Sequence, residues 1–248
     1  MKREIVDLFH NNGHAIDGFI PPYMRSAKLL RPDDESVLWV VQMMPDFDSA
    51  EWISDRDVDF ADFPEAFREG LPLYVNVKEG VTARYGDRAV SIEGTAAIHR
   101  RAPLGKVACD ATHLRRLTVE DVPLLLAMEN DYNVLNMMEQ CADMLTHADQ
   151  GFAAYGYIQE GQLLAFVSLS SSDGDCLRDC LGIGQVFTLP NARRRGLAGN
   201  LLRYALNENP GKTAYYDANP ADNTCSNKLA ASCGFVHVGN LLYHCFQP

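Results

Sequence analysis

The stretch VFTLPNARRRGLAGNLLR, residues 186–203, carries the clearest local signals of structure in the sequence. Its apolar, β-branched and aromatic start predicts a strand that Pro190 stops. From Gly196 onward the apolar residues recur at helical spacing, which predicts an amphipathic helix over 195–209. The three arginines at 193–195 therefore fall in the short loop that leads from the strand into the start of the helix.

The start of this helix is suited to binding an anion. A helix N-terminus exposes about four unpaired N–H groups and carries about half a positive charge. Gly196 has no side chain and Ala198 has a small one, so an anion can approach the backbone closely, with the arginines around it. The stretch predicts a backbone cradle sized for a diphosphate. The sequence contains neither GxxxxGK[ST] nor GxGxxG, which excludes the two familiar phosphate-binding loops.

Composition limits the classes of partner. The chain has 248 residues, with 22 Lys+Arg against 33 Asp+Glu and a formal net charge of -11. Such a chain repels nucleic acid and anionic membranes, so we expect the arginine run to bind neither. The sequence has no apolar run of about 18 residues and no secretory signal pattern. We therefore expect a cytoplasmic protein, monomeric or homodimeric.

Cysteine and histidine spacing does not predict a metal site. The seven cysteines include no CxxC pair, which is typical of free thiols in a reducing compartment. Cys176 and Cys180 are four residues apart, but no histidine pair at ligand spacing accompanies them. His10 and His14 flank Asn-Asn-Gly, which predicts a turn and not a helical ligand pair.

Residues 1–108 are predicted to form a small α+β domain. Apolar runs at 37–44 and 71–77 predict strands, and residues 87–100 have an extended pattern. Pro103 and Gly105 then interrupt the periodicity, which indicates a joint between this domain and a second one at 109–248.

Residues 109–248 show a more regular order of elements. The pattern predicts a strand, two helices, three strands, a helix, a strand, a helix and two strands, which gives a mixed sheet with helices on its faces. Thr118 and Asp121 are placed to cap the first helix. The last two strands are predicted as a hairpin over 235–246 that turns on Gly239-Asn240.

The spacing Arg-x-x-Gly-x-Ala at 193–198, on this order of elements, resembles the GNAT superfamily of N-acetyltransferases. The resemblance runs from residue 113 onward and includes RRLTVEDVPLL (115–125), AFVSLSSS (165–172) and DNTCSNKLAASCGF (222–235). It implies an α+β fold with a central mixed sheet flanked by helices. Residues 1–108 would then be a degenerate first half of the same fold, as in two-domain relatives similar to the glycine N-acyltransferases.

The resemblance also implies a cofactor site for acetyl-CoA, with no metal. The pyrophosphate would bind at the arginine loop, with at most two of the three arginines touching it, and the pantetheine would lie along the preceding strand. A backbone N–H near Val186 or Phe187 would stabilise the oxyanion. The implied cofactor-binding residues are Val186, Phe187, Thr188, Arg193, Arg194, Arg195, Gly196, Leu197, Ala198 and Asn223.

Two departures from the family pattern leave the catalytic groups open. Many members place a tyrosine acid seven residues after the asparagine, where this chain has Ala230; Ser232 or Cys233 are the nearby substitutes. Many carry a glutamate base early in the strand, which here reads LGIGQ. Asp179 and Asp217 are the nearest carboxylates and are the candidate bases.

The expected reaction is transfer of an acetyl or acyl group to the amine of a small molecule or an amino acid. The amine would attack acetyl-CoA directly in a ternary complex. Two alternatives stay open: a non-catalytic acyl-CoA-binding or regulatory protein, and an enzyme that acetylates a protein amine.

Overall fold

The computed structural model describes residues 28–29, 38–43, 48–53, 57–64, 69–128, 141–143, 145–146, 152–170 and 180–247. The strands are β1 Lys28–Leu29, β2 Leu38–Met43, β3 Asp48–Ile53, β4 Val58–Asp59, β5 Leu73–Lys78, β6 Ala83–Arg84, β7 Val90–Arg101, β8 Leu114–Arg116, β9 Phe152–Gln159, β10 Gln162–Ser170, β11 Cys180–Thr188, β12 Thr213–Ala218 and β13 Val236–Phe246. The α-helices are α1 Val122–Leu126, α2 Leu197–Asn207 and α3 Thr224–Ser232, and short 3-10 helices lie at Phe60–Asp62, Val119–Asp121 and Pro190–Ala192.

Eleven of the described strands form one sheet. Their order is β1-β2-β3-β5-β13-β7-β12-β11-β10-β9-β8, and β4 pairs with β6 separately. Within the large sheet β3 runs parallel to β5 and β11 runs parallel to β12, and the other neighbours are antiparallel. The predicted α+β fold with a mixed central sheet is confirmed.

The strand order is nearly palindromic. On one side of the sheet, β2 is antiparallel to β3 and β3 is parallel to β5. On the other side, β10 is antiparallel to β11 and β11 is parallel to β12. Each parallel pair is matched over four residues, Asp48–Glu51 with Leu73–Asn76 and Cys180–Ile183 with Thr213–Tyr216. At the centre, β13 lies beside β5 and β7 lies beside β12, so each half places its last strand against the other half.

The predicted domain boundary falls in the connection between β7 and β8. Residues 102–111 contain no regular element and lie along α2. The side chain of Asn200 bonds both backbone groups of Asp110, at 2.9 and 2.6 Å, and Asn207 does the same to Val107, at 2.9 and 2.7 Å. The division at 108/109 into two domains stays a prediction.

Helix α2 is fixed by its apolar face. Leu201, Leu202 and Ala205 are completely buried, and Leu197 and Leu206 are nearly so. Burying one leucine side chain contributes about 1.5–3 kcal/mol, so this stripe holds the helix firmly on the sheet. The position of the first turn of α2, where the site lies, is therefore set by the core.

The structure corrects one predicted element. The hairpin predicted over 235–246 is wrong, because β13 is a continuous strand of 11 residues. Gly239 lies at a β-bulge where the pairing with β7 shifts register between His237 and Gly239. Glycine marks bulges as well as turns, and pairing with β7 on both sides of the bulge keeps this segment extended. The second of the two helices predicted after the first strand of 109–248 covers residues 134–148, where apolar residues recur at helical spacing. Of these residues, 141–143 and 145–146 are helical and the others lie outside the described residues.

Candidate active site

A split in the sheet between β11 and β12 forms the centre of the site. The two strands pair only from Cys180 with Thr213 to Ile183 with Tyr216. Beyond this point β11 continues to Thr188 and pairs with β10 alone, whereas β12 continues beside β7. The strands therefore diverge, and the facing edge of Gly184–Thr188 has no partner among the described strands.

The backbone of this free edge presents donors to the split. The N–H of Gln185 donates to Ser168 Oγ at 2.7 Å and that of Leu189 to the carbonyl of Leu164 at 2.9 Å, both towards β10. Backbone groups alternate in direction along a strand, so the N–H groups of Val186 and Thr188 point the other way, into the split. An extended chain with amide groups can pair with such an edge as an added strand.

The loop that leads into α2 has the backbone geometry of an anion site. Arg194 has a φ of 63° and Gly196 has a φ of 76°, both in the left-handed region. Left-handed residues in such a turn aim successive N–H groups into one concavity, which suits an anion. Because a Cβ on Gly196 would meet nothing within 4 Å, the structure requires glycine for its backbone angle and not for space within the protein.

The three arginines of the loop point in different directions. The Nε of Arg193 donates to the carbonyl of Thr188 at 3.1 Å, and its guanidinium lies 5.9 Å from the ring centre of Phe187. Arg194 also lines the groove described below. Arg195 donates to Gln159 Oε1 at 3.3 Å, towards the β9–β10 hairpin, and does not line the groove.

A groove of about 800 Å³ connects three parts of the structure: the split, the loop at Arg193–Ala198, which we call the cradle, and α3. It is lined by predicted residues and by residues that the sequence did not single out. The side chains facing it include Arg193, Arg194, Arg203 and Lys228, with no carboxylate among the described residues that line it. The lining residues are Val186, Phe187, Thr188, Ala192, Arg193, Arg194, Gly196, Leu197, Ala198, Gly199, Arg203, Tyr216, Asn223, Cys225, Ser226, Lys228, Leu229 and Ser232.

The α3 wall of the groove is organised by two hydroxyl groups and an amide. The side chain of Asn223 caps α3 by accepting from the N–H of Ser226 at 3.1 Å. The hydroxyls of Ser226 and Tyr216 lie 2.8 Å apart and share a hydrogen bond. The sequence analysis did not identify Tyr216 or Arg203 as site residues. Tyr216 lies in an ordinary strand pattern, and Arg203 lies about two turns after the start of α2. Only the fold brings them to the cradle.

Asp217 follows Tyr216 in β12, so its side chain lies on the opposite face of the sheet from the groove. Its Oδ2 accepts from the hydroxyl of Tyr243 at 3.0 Å, and its Oδ1 is buried with no hydrogen-bond partner among the described residues. Burial raises the pKa of Asp217 to about 6, against the smaller lowering effect of the Tyr243 hydrogen bond. The other candidate base, Asp179, lies outside the described residues.

The residues near the missing tyrosine have other contacts. Ala230 is completely buried. The hydroxyl of Ser232 donates to the carbonyl of Leu229 at 2.8 Å. The Sγ of Cys233 lies 3.6 Å from the carbonyl of Gly199, and burial raises the pKa of this thiol. Both side chains therefore serve helix packing in this structure.

The described residues contain no group of three or more His, Cys, Asp or Glu side chains placed to hold a metal ion. Cys176 and the pair His10 and His14 lie outside them. Within the described ranges, no helix combines the length and the apolar character needed to cross a membrane.

Comparison with known proteins adds a family and a fold. Residues 115–235 match the model of the acetyltransferase (GNAT) family. A protein from Novosphingobium aromaticivorans DSM 12444, assigned to the GNAT family, is 16% identical with a TM-score of 0.57, over 94% of this chain and 96% of its own. A GCN5-related N-acetyltransferase from Kribbella flavida is 14% identical with a TM-score of 0.57, over 96% and 95%.

A third similar structure is a tandem GNAT protein from the clavulanic acid biosynthesis pathway. It is 14% identical with a TM-score of 0.53, over 86% of this chain and 79% of its own. At these identities the structures establish a shared fold. Among curated protein sequences, none matches this chain.

Proposed function

We propose that this chain, whose residues 115–235 belong to the acetyltransferase (GNAT) family, transfers the acetyl group of acetyl-CoA to the amine of a small molecule. The family uses acetyl-CoA as its co-substrate. Acyl transfer in general follows from the family, and the small amine acceptor and the assignment of residues are our proposal.

The observation that carries the proposal is the cationic groove beside a free strand edge. The cradle at Arg193–Ala198 would hold the pyrophosphate through backbone N–H groups at the start of α2, with Arg193 and Arg194 adding charge. Arg203 and Lys228 supply two further cations for the remaining phosphate of CoA. In a chain with a net charge of -11, these cations can attract phosphate locally although the chain as a whole repels anions.

The free edge of β11 would hold the other end of the cofactor. The N–H groups of Val186 and Thr188 and the C=O group of Val186 face the split, where they can pair with the two amides of the pantetheine arm. The thioester would then reach the apex of the split. The Val186 N–H is the donor best placed for the carbonyl oxygen of the acetyl group as negative charge develops on it.

The acceptor amine would approach from the other face of the sheet, where Asp217 lies. A general base must be ionised to accept a proton, and a pKa of about 6 leaves Asp217 ionised at neutral pH while keeping it basic enough to act. The amine nitrogen attacks the thioester carbon, its proton passes to Asp217, and the C–S bond breaks to release CoA as a thiolate.

Release of free CoA thiol in the presence of a broad panel of small amines tests the proposal. Acetylated product and thiol should appear in equal amounts. If calorimetry shows acetyl-CoA binding but no amine in the panel releases thiol, the small-amine enzyme is excluded. A non-catalytic acyl-CoA-binding protein, favoured by Ala230 in place of the tyrosine, would then be the better assignment.

A further inference from the structure

Tyr216 occupies the apex of the split on the groove side. It is the last β12 residue paired with β11, opposite Ile183. Tyr216 lines the groove together with Ser226, and the hydroxyls of the two residues lie 2.8 Å apart. The next residue, Asp217, faces away from the groove. Two consecutive residues therefore place a phenol and a carboxylate on the two faces of the sheet at the point where it opens.

The packing of Tyr216 fixes the direction of its hydroxyl. The ring is 4% exposed and makes edge contacts with Phe235 at 5.8 Å and His99 at 6.3 Å between ring centres. The hydroxyl bonds Ser226 Oγ at 2.8 Å, and either atom can be the donor. When Ser226 donates, the phenol proton of Tyr216 is free to bond a group in the groove.

We propose that Tyr216 donates the hydrogen bond that stabilises the leaving thiolate of CoA, with Ser226 orienting its hydroxyl. This inference rests on the function proposed above. The C–S electron pair leaves on sulfur as the new C–N bond forms, and the amine proton is taken up by Asp217 on the opposite face. The thiolate accepts the Tyr216 hydrogen bond and takes a proton from water as CoA dissociates.

The surroundings of Tyr216 suit a donor. Burial raises the pKa of the phenol, so it stays protonated at neutral pH and does not compete with Asp217 for the amine proton. Hydrogen bonds to charged partners are stronger than those between neutral groups. Ser232 and Cys233, the substitutes that the sequence offers near the missing tyrosine, are engaged with backbone carbonyls.

The first half of the palindromic sheet provides an internal comparison. Aligning the two parallel pairs places Asn76 at the position of Tyr216 and Val77 at the position of Asp217. Val77 is completely buried in an apolar cluster. The first half of the chain, which lacks the cradle sequence, therefore also lacks the phenol of Tyr216 and the carboxylate of Asp217. This is the expected pattern if Tyr216 and Asp217 act together with the cradle.

The pKa of the thiol of bound CoA tests the assignment without knowledge of the acceptor. CoA is added to the wild-type protein and to Tyr216→Phe, and the thiolate is followed by its ultraviolet absorbance against pH. Loss of a hydrogen bond to the thiolate should raise the thiol pKa by about one to two pH units, because bonds to charged groups have this strength. Tyr204→Phe removes a phenol hydroxyl from α2 outside the groove and should leave the thiol pKa unchanged.

A second variant separates the donor role from packing. Fluorotyrosine at position 216 keeps the ring and makes the hydroxyl a stronger donor, so it should lower the pKa of the bound thiol.

Once an acceptor is identified, kcat in Tyr216→Phe should fall about 10- to 100-fold while KM for acetyl-CoA changes little. An unchanged thiol pKa in Tyr216→Phe with CoA bound would overturn this inference alone. Failure of the wild-type protein to bind CoA would instead overturn the proposed function.

Discussion

Gly196 combines a conformational requirement with a position in the cradle. Its φ of 76° costs a residue with a side chain roughly 1–2 kcal/mol. Gly196→Glu adds that strain and also places a carboxylate where the pyrophosphate is proposed to bind. We expect it to weaken acetyl-CoA binding at least 100-fold by calorimetry.

Gly161, in the β9–β10 hairpin, is the matched control for this substitution. It has a φ of 77°, and a Cβ there would also meet nothing within 4 Å. Gly161→Glu should therefore lose similar stability but keep its affinity for acetyl-CoA. Equal affinity in the Gly161 and Gly196 variants would refute the cradle.

Asp217 is expected to reduce the stability of the folded chain at neutral pH. Its pKa is raised from 3.8 to about 6 in the folded state, so the folded chain binds more protons than the unfolded chain between these values. The contribution of this group to stability is full below about pH 4 and is lost as the pH rises through about 6. The loss is on the order of 1–3 kcal/mol.

Asp217→Asn should therefore raise the Tm by a few degrees at pH 8 and change it little at pH 4. The same variant should lose most acetyl transfer at both pH values, whereas the wild-type rate should rise as the pH passes 6. Thermal melts and initial rates at matched pH measure both effects. Lower stability of the variant at pH 8 would show that the carboxylate is stabilised by contacts beyond Tyr243.

At the scale of elements, the sequence predicted the parts of the site that depend on local pattern. The strand, loop and helix around Arg193 follow from Pro190, Gly196 and the apolar stripe, which are local signals. Tyr216 carries no such signal, because its role comes from being the last paired residue before two strands diverge. The bulge at Gly239 was mistaken for a turn because the pairing of β13 with β7 before and after it cannot be seen in the chain itself.

Helix α2 is held from outside by the segment that connects β7 to β8. Asn200 and Asn207, two turns apart on the helix, each make two hydrogen bonds to the backbone of this segment. Replacing either with Ala removes two bonds, at about 1 kcal/mol each. The sites are roughly 10 Å apart along the helix, so their effects on the free energy of unfolding should add. Urea melts of the single and double variants measure this, and no loss in the double variant would mean that the segment is not held by these bonds.

At the scale of the whole molecule, the two halves of the chain depend on each other through the centre of the sheet. β7 comes from the first half and lies between β12 and β13 of the second, with Ile98 and Ala97 almost completely buried. A chain of residues 109–248 alone would expose one edge of each of these strands. We expect it to lack the cooperative melting transition of the full chain, and a cooperative transition of comparable midpoint would show that the second half folds independently.

The near-palindromic sheet also predicts how many cofactors one chain binds. The segment after β11 is PNARRRGLAG, which brings three cations to a helix start. The segment at the corresponding place after β3 is SDRDVDF, residues 54–60, with three aspartates and no glycine. Of these, Asp59 accepts from the N–H groups of Ala61 and Gly86 and pairs with Arg84 at 3.1 Å, so it stabilises its own loop.

A diphosphate would meet repulsion from the aspartates of this segment, and its sequence has no glycine to form a second cradle. Calorimetric titration of the full chain with acetyl-CoA should therefore give one site per chain. Arg193→Ala should weaken the affinity of that site more than Arg194→Ala does, because Arg193 is anchored to the Thr188 carbonyl. A stoichiometry of two would show that the first half retains a cofactor site. Retention of one site of full affinity in Gly196→Glu would place the cofactor in the first half instead.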